Sequence, residues 1–179
     1  MRNDVHNVAY KYKKWIKAHS EDVYSLAVVE GNQLLSASYD GTVKLWNTTK
    51  GRFKHHIRTF KCGLPVTDAV AIGSSQIMAV CQYTNKIRVF DFETGEEAPL
   101  GFPIIELGFK PYFIALSPDS KSVFTSRPDV SVIQSFDVET KALITTYNQS
   151  ADALAFLDDH KFVTSNCTNV FVWNVDRYQ

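Results

Sequence analysis

At 179 residues, with 45% apolar and 21% charged side chains, the chain has the size and make-up of one soluble globular domain. Lysine plus arginine equals aspartate plus glutamate, 19 each, so no global charge draws it to nucleic acid. No apolar run approaches the ~18 residues that a membrane-spanning helix needs.

The N-terminus, Met1 to His6, lacks the apolar core of a secretory signal. Residues Lys11 to Lys17 then read as a polar strand standing alone, rich in lysine as an exposed edge requires. From His19 a more regular pattern starts. Val23 to Val28 alternates like a strand, and Glu30-Gly31-Asn32 is a turn. Leu34 to Ser38 forms a second run, followed by Asp40-Gly41 and then Thr42-Val43-Lys44-Leu45-Trp46-Asn47. A further polar strand is expected from Arg52 to Phe60.

The same order of signals recurs. Strands are expected over Val66–Ile72, Ile77–Gln82 and Lys86–Asp91, with an outer one from Leu100 to Leu107. Pro103 lies inside that outer run, and a residue without an N–H is tolerated only at a sheet edge. A third unit opens on Phe113 to Leu116, turns at Ser117-Pro118-Asp119-Ser120, and ends at Phe136-Asp137, with an outer strand from Lys141 to Tyr147. The fourth comprises Ala153–Phe156, a turn at Asp158-Asp159-His160-Lys161, Phe162–Ser165, and Val170-Phe171-Val172-Trp173-Asn174. The closing aromatics Trp46, Phe90, Phe136 and Trp173 are separated by 44, 46 and 37 residues, against a blade period of roughly 40–45.

Asp40-Gly41-Thr42-Val43-Lys44-Leu45-Trp46-Asn47 and the repeat around it resemble the WD-repeat family over almost the whole chain, faithfully in the first copy and loosely in the others. The resemblance implies an all-β fold, a β-propeller of four-stranded antiparallel blades. The blades would span about 19–60, 65–107, 111–149 and 151–179, the last completed by strand 11–17. Residues 1–179 would then form one domain or segment. Two readings stay open. The N-terminal strand closes a four-bladed ring, or the chain is an incomplete piece of a larger propeller. Blades shaped for a wide ring meet at a shallow angle, which favours the second. An incomplete ring would allow a homodimer.

The resemblance also implies a structural tetrad of His19, Ser38, Asp40 and Trp46, in which an indole N–H reaches a carboxylate through a hydroxyl and an imidazole. The other blades depart from it, with Gln82, Thr84 and Cys167 at matching places, and are expected to rely on apolar packing. Two positions per blade would project onto one end of the ring. They hold Tyr24 and Tyr39 in the first blade, Thr67 and Tyr83 in the second, Tyr112 in the third, and Asp152 and Asn166 in the fourth. Asp22 and Lys110 lie alongside. Exposed tyrosines combine large area, few rotors and a polar tip, so Tyr24, Tyr39, Tyr83, Tyr112, Asp22 and Lys110 are the candidate partner-binding residues.

Chemistry is otherwise sparse. There is no phosphate loop, nucleophile elbow or zinc spacing, so no catalytic residue, metal site or cofactor is expected. Adjacent His55 and His56 point to opposite faces of a strand. Cys62, Cys81 and Cys167 are odd in number and widely spaced, which suits a reducing compartment, cytoplasmic or nuclear. Cys81 should be buried in an inner strand. The expected function is an intracellular protein–protein interaction scaffold or adaptor, not an enzyme. The alternative is an RNA- or ribosome-assembly-associated factor using the basic stripe Lys11, Lys13, Lys14, Arg52, Lys54 and Arg58. Direct nucleic-acid binding and membrane association are not expected.

Overall fold

The computed structural model describes residues 16–29, 31–49, 55–98, 105–158 and 160–175. Among them every regular element is a β-strand, and the strands form four antiparallel sheets, each a meander in chain order. The first comprises β1 (Val23–Val29), β2 (Gln33–Ser38), β3 (Thr42–Asn47) and β4 (His55–Lys61). The second comprises β5 (Val66–Ile72), β6 (Gln76–Cys81), β7 (Lys86–Asp91) and the short β8 (Ile105–Glu106). The third holds β9 (Phe113–Leu116), β10 (Ser122–Ser126), β11 (Ile133–Asp137) and β12 (Leu143–Tyr147). The fourth holds β13 (Ala153–Asp158), β14 (Lys161–Asn166) and β15 (Asn169–Asn174). These are the four blades. The outer strand around Pro103 and most of strand 11–17 lie outside the described residues, while Ile16 and Lys17 are not in a strand.

Turn chemistry sets the meander. At Asp40-Gly41, the Asp40 carboxylate accepts the Thr42 N–H at 3.0 Å, closing a turn whose next residue, Gly41, has φ +80. A Cβ on Gly41 would sit 3.4 Å from the backbone of Leu64, so glycine answers both the left-handed backbone and a close approach. In the second blade the turn is one residue longer, and Thr84 Oγ1 takes over by accepting the Lys86 N–H at 2.9 Å.

Three apolar cores lie between successive blades. Leu35, Val43, Leu45 and Phe60 of the first blade meet Val66, Ile77, Ala79 and Phe90 of the second. Met78, Val80, Ile87 and Val89 on the opposite face of the second blade meet Ile114, Val123 and Phe136 of the third. Phe124 and Ile133 meet Phe162, Trp173 and Phe156 of the fourth, in a stack of rings with Tyr147. Each fully buried side chain of this size stabilises the fold by about 1.5–3 kcal/mol. The run Ile77-Met78-Ala79-Val80-Cys81 is apolar without alternation because β6 is covered on both faces. Cys81 and Cys62 are both buried in the first core, and Cys167 is exposed.

One carboxylate ties three blades together. Asp68 on β5 accepts the Ser25 hydroxyl of β1 at 2.5 Å and the Ile114 N–H of β9 at 2.9 Å. Burial raises its pKa, against the lowering pull of those same donors.

Candidate functional site

The polar relay of the first blade sits where β2 and β3 carry their side chains away from the second blade. Trp46 Nε1–H donates to Ser36 Oγ at 2.8 Å, and Ser36 Oγ lies 2.7 Å from His19 Nε2. His19 Nδ1 lies 2.8 Å from Asp40 Oδ2, and Thr42 Oγ1–H donates to Asp40 Oδ1 at 2.6 Å. A neutral imidazole protonated at Nδ1 satisfies every member: indole to hydroxyl, hydroxyl to Nε2, Nδ1–H to carboxylate. Burial lowers the His19 pKa and thereby favours that neutral form. Burial also pushes Asp40 up, but the Thr42 hydroxyl, the His19 ring and the Ser20 N–H outweigh it and hold the carboxyl at about 2.

This corrects the expected tetrad at one position. Ser36, not Ser38, stands between indole and imidazole. Ser38 instead donates to the Glu21 carbonyl at 3.3 Å and accepts the Asp40 N–H at 3.1 Å. Both serines point to the same side of β2, and the antiparallel register decides between them. Leu34 lies opposite Trp46, and Ser36, two residues on, is the diagonal neighbour within reach of a long indole. The fourth blade keeps half of the device, which the sequence reading missed: Trp173 Nε1–H donates to Thr164 Oγ1 at 2.9 Å. Thr164 is the register equivalent of Ser36, a signal visible only once the strands are paired.

At one end of the blades the tyrosines collect. Tyr24 (46% exposed) and Tyr39 (39%) have ring centroids 6.0 Å apart at 53°. The neighbouring Tyr83 phenol (65% exposed) raises the Tyr39 pKa. Two turns and one bulge position this group. Tyr24 is the bulged residue where the β1–β2 pairing shifts, which re-aims its ring. Tyr39 leads into the Asp40-Gly41 turn, and its N–H donates to the Asp22 carbonyl at 2.9 Å. Tyr83 has φ 68, an uncommon backbone for a bulky residue, in the longer turn of the second blade. Tyr112 is 41% exposed at the start of the third blade, its N–H donating to the Ser126 carbonyl, and makes no ring contact with the other three. Asp22 and Lys110 are exposed.

The remaining rim positions behave differently. Thr67 is buried and donates to the Val80 carbonyl at 3.3 Å, so it is a core residue. Asp152 accepts the Cys167 N–H at 2.8 Å, and Asn166 donates to Ser150 Oγ at 3.2 Å, both closing turns. Among the described residues no group of three or more His, Cys, Asp or Glu is arranged to hold a metal, and no helix is long and apolar enough to cross a membrane.

The family described as "WD domain, G-beta repeat" matches residues 10–47, the stretch that carries the relay. Residues 10–47 thus carry a WD repeat. Apoptotic protease-activating factor 1 from Mus musculus is 38% identical over 60 residues, covering 34% of this chain and 5% of that protein. Its Rattus norvegicus counterpart matches to the same extent. Among solved structures, the WD40 beta propeller domain of Doa1 superposes with a TM-score of 0.68 at 21% identity, over 87% of this chain and 51% of that one. The chain thus spans about half the length of that propeller and a small part of the apoptotic factor. At these identities the structural likeness carries the fold alone. Of the WD-type polar devices, the first blade has the complete relay and the fourth only the indole–hydroxyl bond.

Proposed function

We propose that the rim bearing Tyr24, Tyr39 and Tyr83, extended by Tyr112, Asp22 and Lys110, binds a peptide or domain of another protein, and that the chain serves as an intracellular interaction scaffold or adaptor. The observation that carries this reading is the grouping of three solvent-facing tyrosines from two different blades, Tyr24 and Tyr39 in ring contact and Tyr83 beside them. Their rings offer apolar area that is already held in place, so a partner loses little side-chain entropy on docking. A partner segment would set an apolar or arginine side chain among the rings and orient itself by Asp22 or Lys110. The WD-repeat fold, a common platform for protein interaction, supports the same reading.

The RNA-associated alternative gains nothing comparable. Of its basic stripe, Lys11, Lys13, Lys14, Arg52 and Lys54 lie outside the described residues, and Arg58 donates to the Thr94 carbonyl at 2.8 Å.

The test is quantitative affinity capture from cell extract with the wild-type chain and the Tyr24→Ala/Tyr39→Ala double variant, after checking that both melt alike. Partners recovered by the wild type should be depleted by the variant, with binding of any purified partner weakened by about 2 kcal/mol or more. An identical partner set from a folded variant would remove the rim from consideration.

A further inference from the structure

Two of the three cysteines meet in the core between the first and second blades. Alternation along β6 turns Ile77, Ala79 and Cys81 towards the first blade, and Met78 and Val80 towards the third. Cys62, which follows β4, lies in the same core as Cys81, and both are buried. The main chain of Cys62 is held from both blades. Its N–H donates to the Gly41 carbonyl of the first blade at 2.9 Å, and its carbonyl accepts the Arg88 guanidinium of the second. Arg88 lies over the Phe90 ring, 5.6 Å from its centroid, and Phe90 belongs to the core that holds Cys81. Arg88 therefore straps Cys62 onto the sheet face from which Cys81 projects. The connection then returns alongside β6, where the Pro65 carbonyl accepts the Gln82 N–H at 2.7 Å and Val66 pairs with Cys81. Each thiol acts on the other. Cys81, helped by burial, pushes Cys62 up, while Cys62, helped by Arg88, pulls Cys81 down against burial. Cys81 is thus the nucleophile of the pair, and Cys62 keeps its proton.

We infer that Cys62 and Cys81 are a modification site, joined into an intrachain disulfide when the protein meets a peroxide. Cys81 Sγ attacks one peroxide oxygen, the O–O bond breaks, and water leaves with the thiol proton, giving a sulfenic acid. Cys62 Sγ then attacks Cys81 Sγ. The S–S bond forms, the S–O bond breaks, and the Cys62 proton departs with the hydroxyl as a second water. The two thiols lose two electrons between them, and these reduce the peroxide. Gly63 and Leu64, next to Cys62, are exposed, and local opening of this short connection admits so small an oxidant. Cys167 is exposed in the fourth blade and takes no part. The bond would lie next to the turns of the tyrosine rim, since Cys81 precedes Tyr83 by two residues and Gly41, which holds the Cys62 N–H, follows Tyr39 by two. The inference itself stands on the thiols and is independent of what the rim binds.

The test takes the reduced 179-residue chain, and Cys167→Ser to remove the exposed thiol, and treats each with hydrogen peroxide under native conditions. After unfolding in an alkylating agent, peptide mapping should recover Cys62 joined to Cys81. The chain should be lighter by its two thiol hydrogens, about 2 Da, and dithiothreitol should reverse the change. The bonded form should melt above the reduced one, because the cross-link restricts the unfolded chain while the folded chain already holds the two thiols together. Cys81→Ala should show neither change. Two thiols still open to alkylation after peroxide, or oxygen gained at either cysteine in place of the cross-link, would overturn the inference. So would a bonded form that melts below the reduced one.

Discussion

Ser36 has a role that its neighbours cannot take. Its hydroxyl both accepts the indole proton of Trp46 and reaches His19 Nε2 inside a buried pocket, so alanine there strands two groups at once. Ser36→Ala should therefore cost about 1–3 kcal/mol, and Ser38→Ala under about 1 kcal/mol, in urea denaturation. Equal effects would refute the assignment. Trp46→Ala, which also opens a cavity, should cost about 3–5 kcal/mol. Acid tests the far end of the relay. His19 and Asp40 both have folded-state pKa values below their unfolded ones, so each contributes stability that is present above its unfolded pKa and lost as pH falls. The His19 contribution declines below about pH 6.5, and that of Asp40 between about pH 4 and 2, where it amounts to roughly 2 kcal/mol. Denaturation midpoints followed against pH should show the lower step in the wild type and not in Asp40→Asn.

At the scale of elements, β5 matters more than its sequence advertises. Val66-Thr67-Asp68-Ala69 reads as an ordinary strand with one polar interruption, yet Asp68 accepts donors from β1 and β9 and so bridges three blades. Asp68→Ala should cost about 1–3 kcal/mol and speed amide exchange at Ile114. Unchanged exchange there would mean that apolar packing alone sets the blade spacing. The pH effect of Asp68 has the opposite sign to that of Asp40. Its raised pKa makes its contribution present below the unfolded value and lost as pH rises through the folded one, so mild acid partly offsets the loss of the relay. None of this was legible in the strand pattern, because the partners lie 43 and 46 residues away.

Across the whole molecule, stability should fall from the middle outwards. The second blade is covered on both faces, whereas β1, β13 and β15 each present one face to water. Hydrogen exchange should find the β6 and β7 amides most protected and those of β13 and β15 among the least. A uniform profile would instead indicate that the fourth blade is as firmly held as the second.

The sequence by itself determined the repeat, the all-β class, the strand order within each blade and the turns at Asp40-Gly41 and Ser117-Pro118-Asp119. These follow from period-two alternation and from side chains that bond to their own backbone, both local properties. It also marked Tyr24, Tyr39, Tyr83 and Tyr112 as exposed, since all four flank or occupy turns. Only the tertiary structure chose Ser36 over Ser38, turned Thr67 inwards, gave Asp68 its three-blade role, and set Tyr24, Tyr39 and Tyr83 against one another with Tyr112 apart. It alone left Leu26, Val28, Val170 and Val172 facing water. Each of these depends on cross-strand register or on the angle between blades, and both are fixed by contacts between residues far apart in the chain.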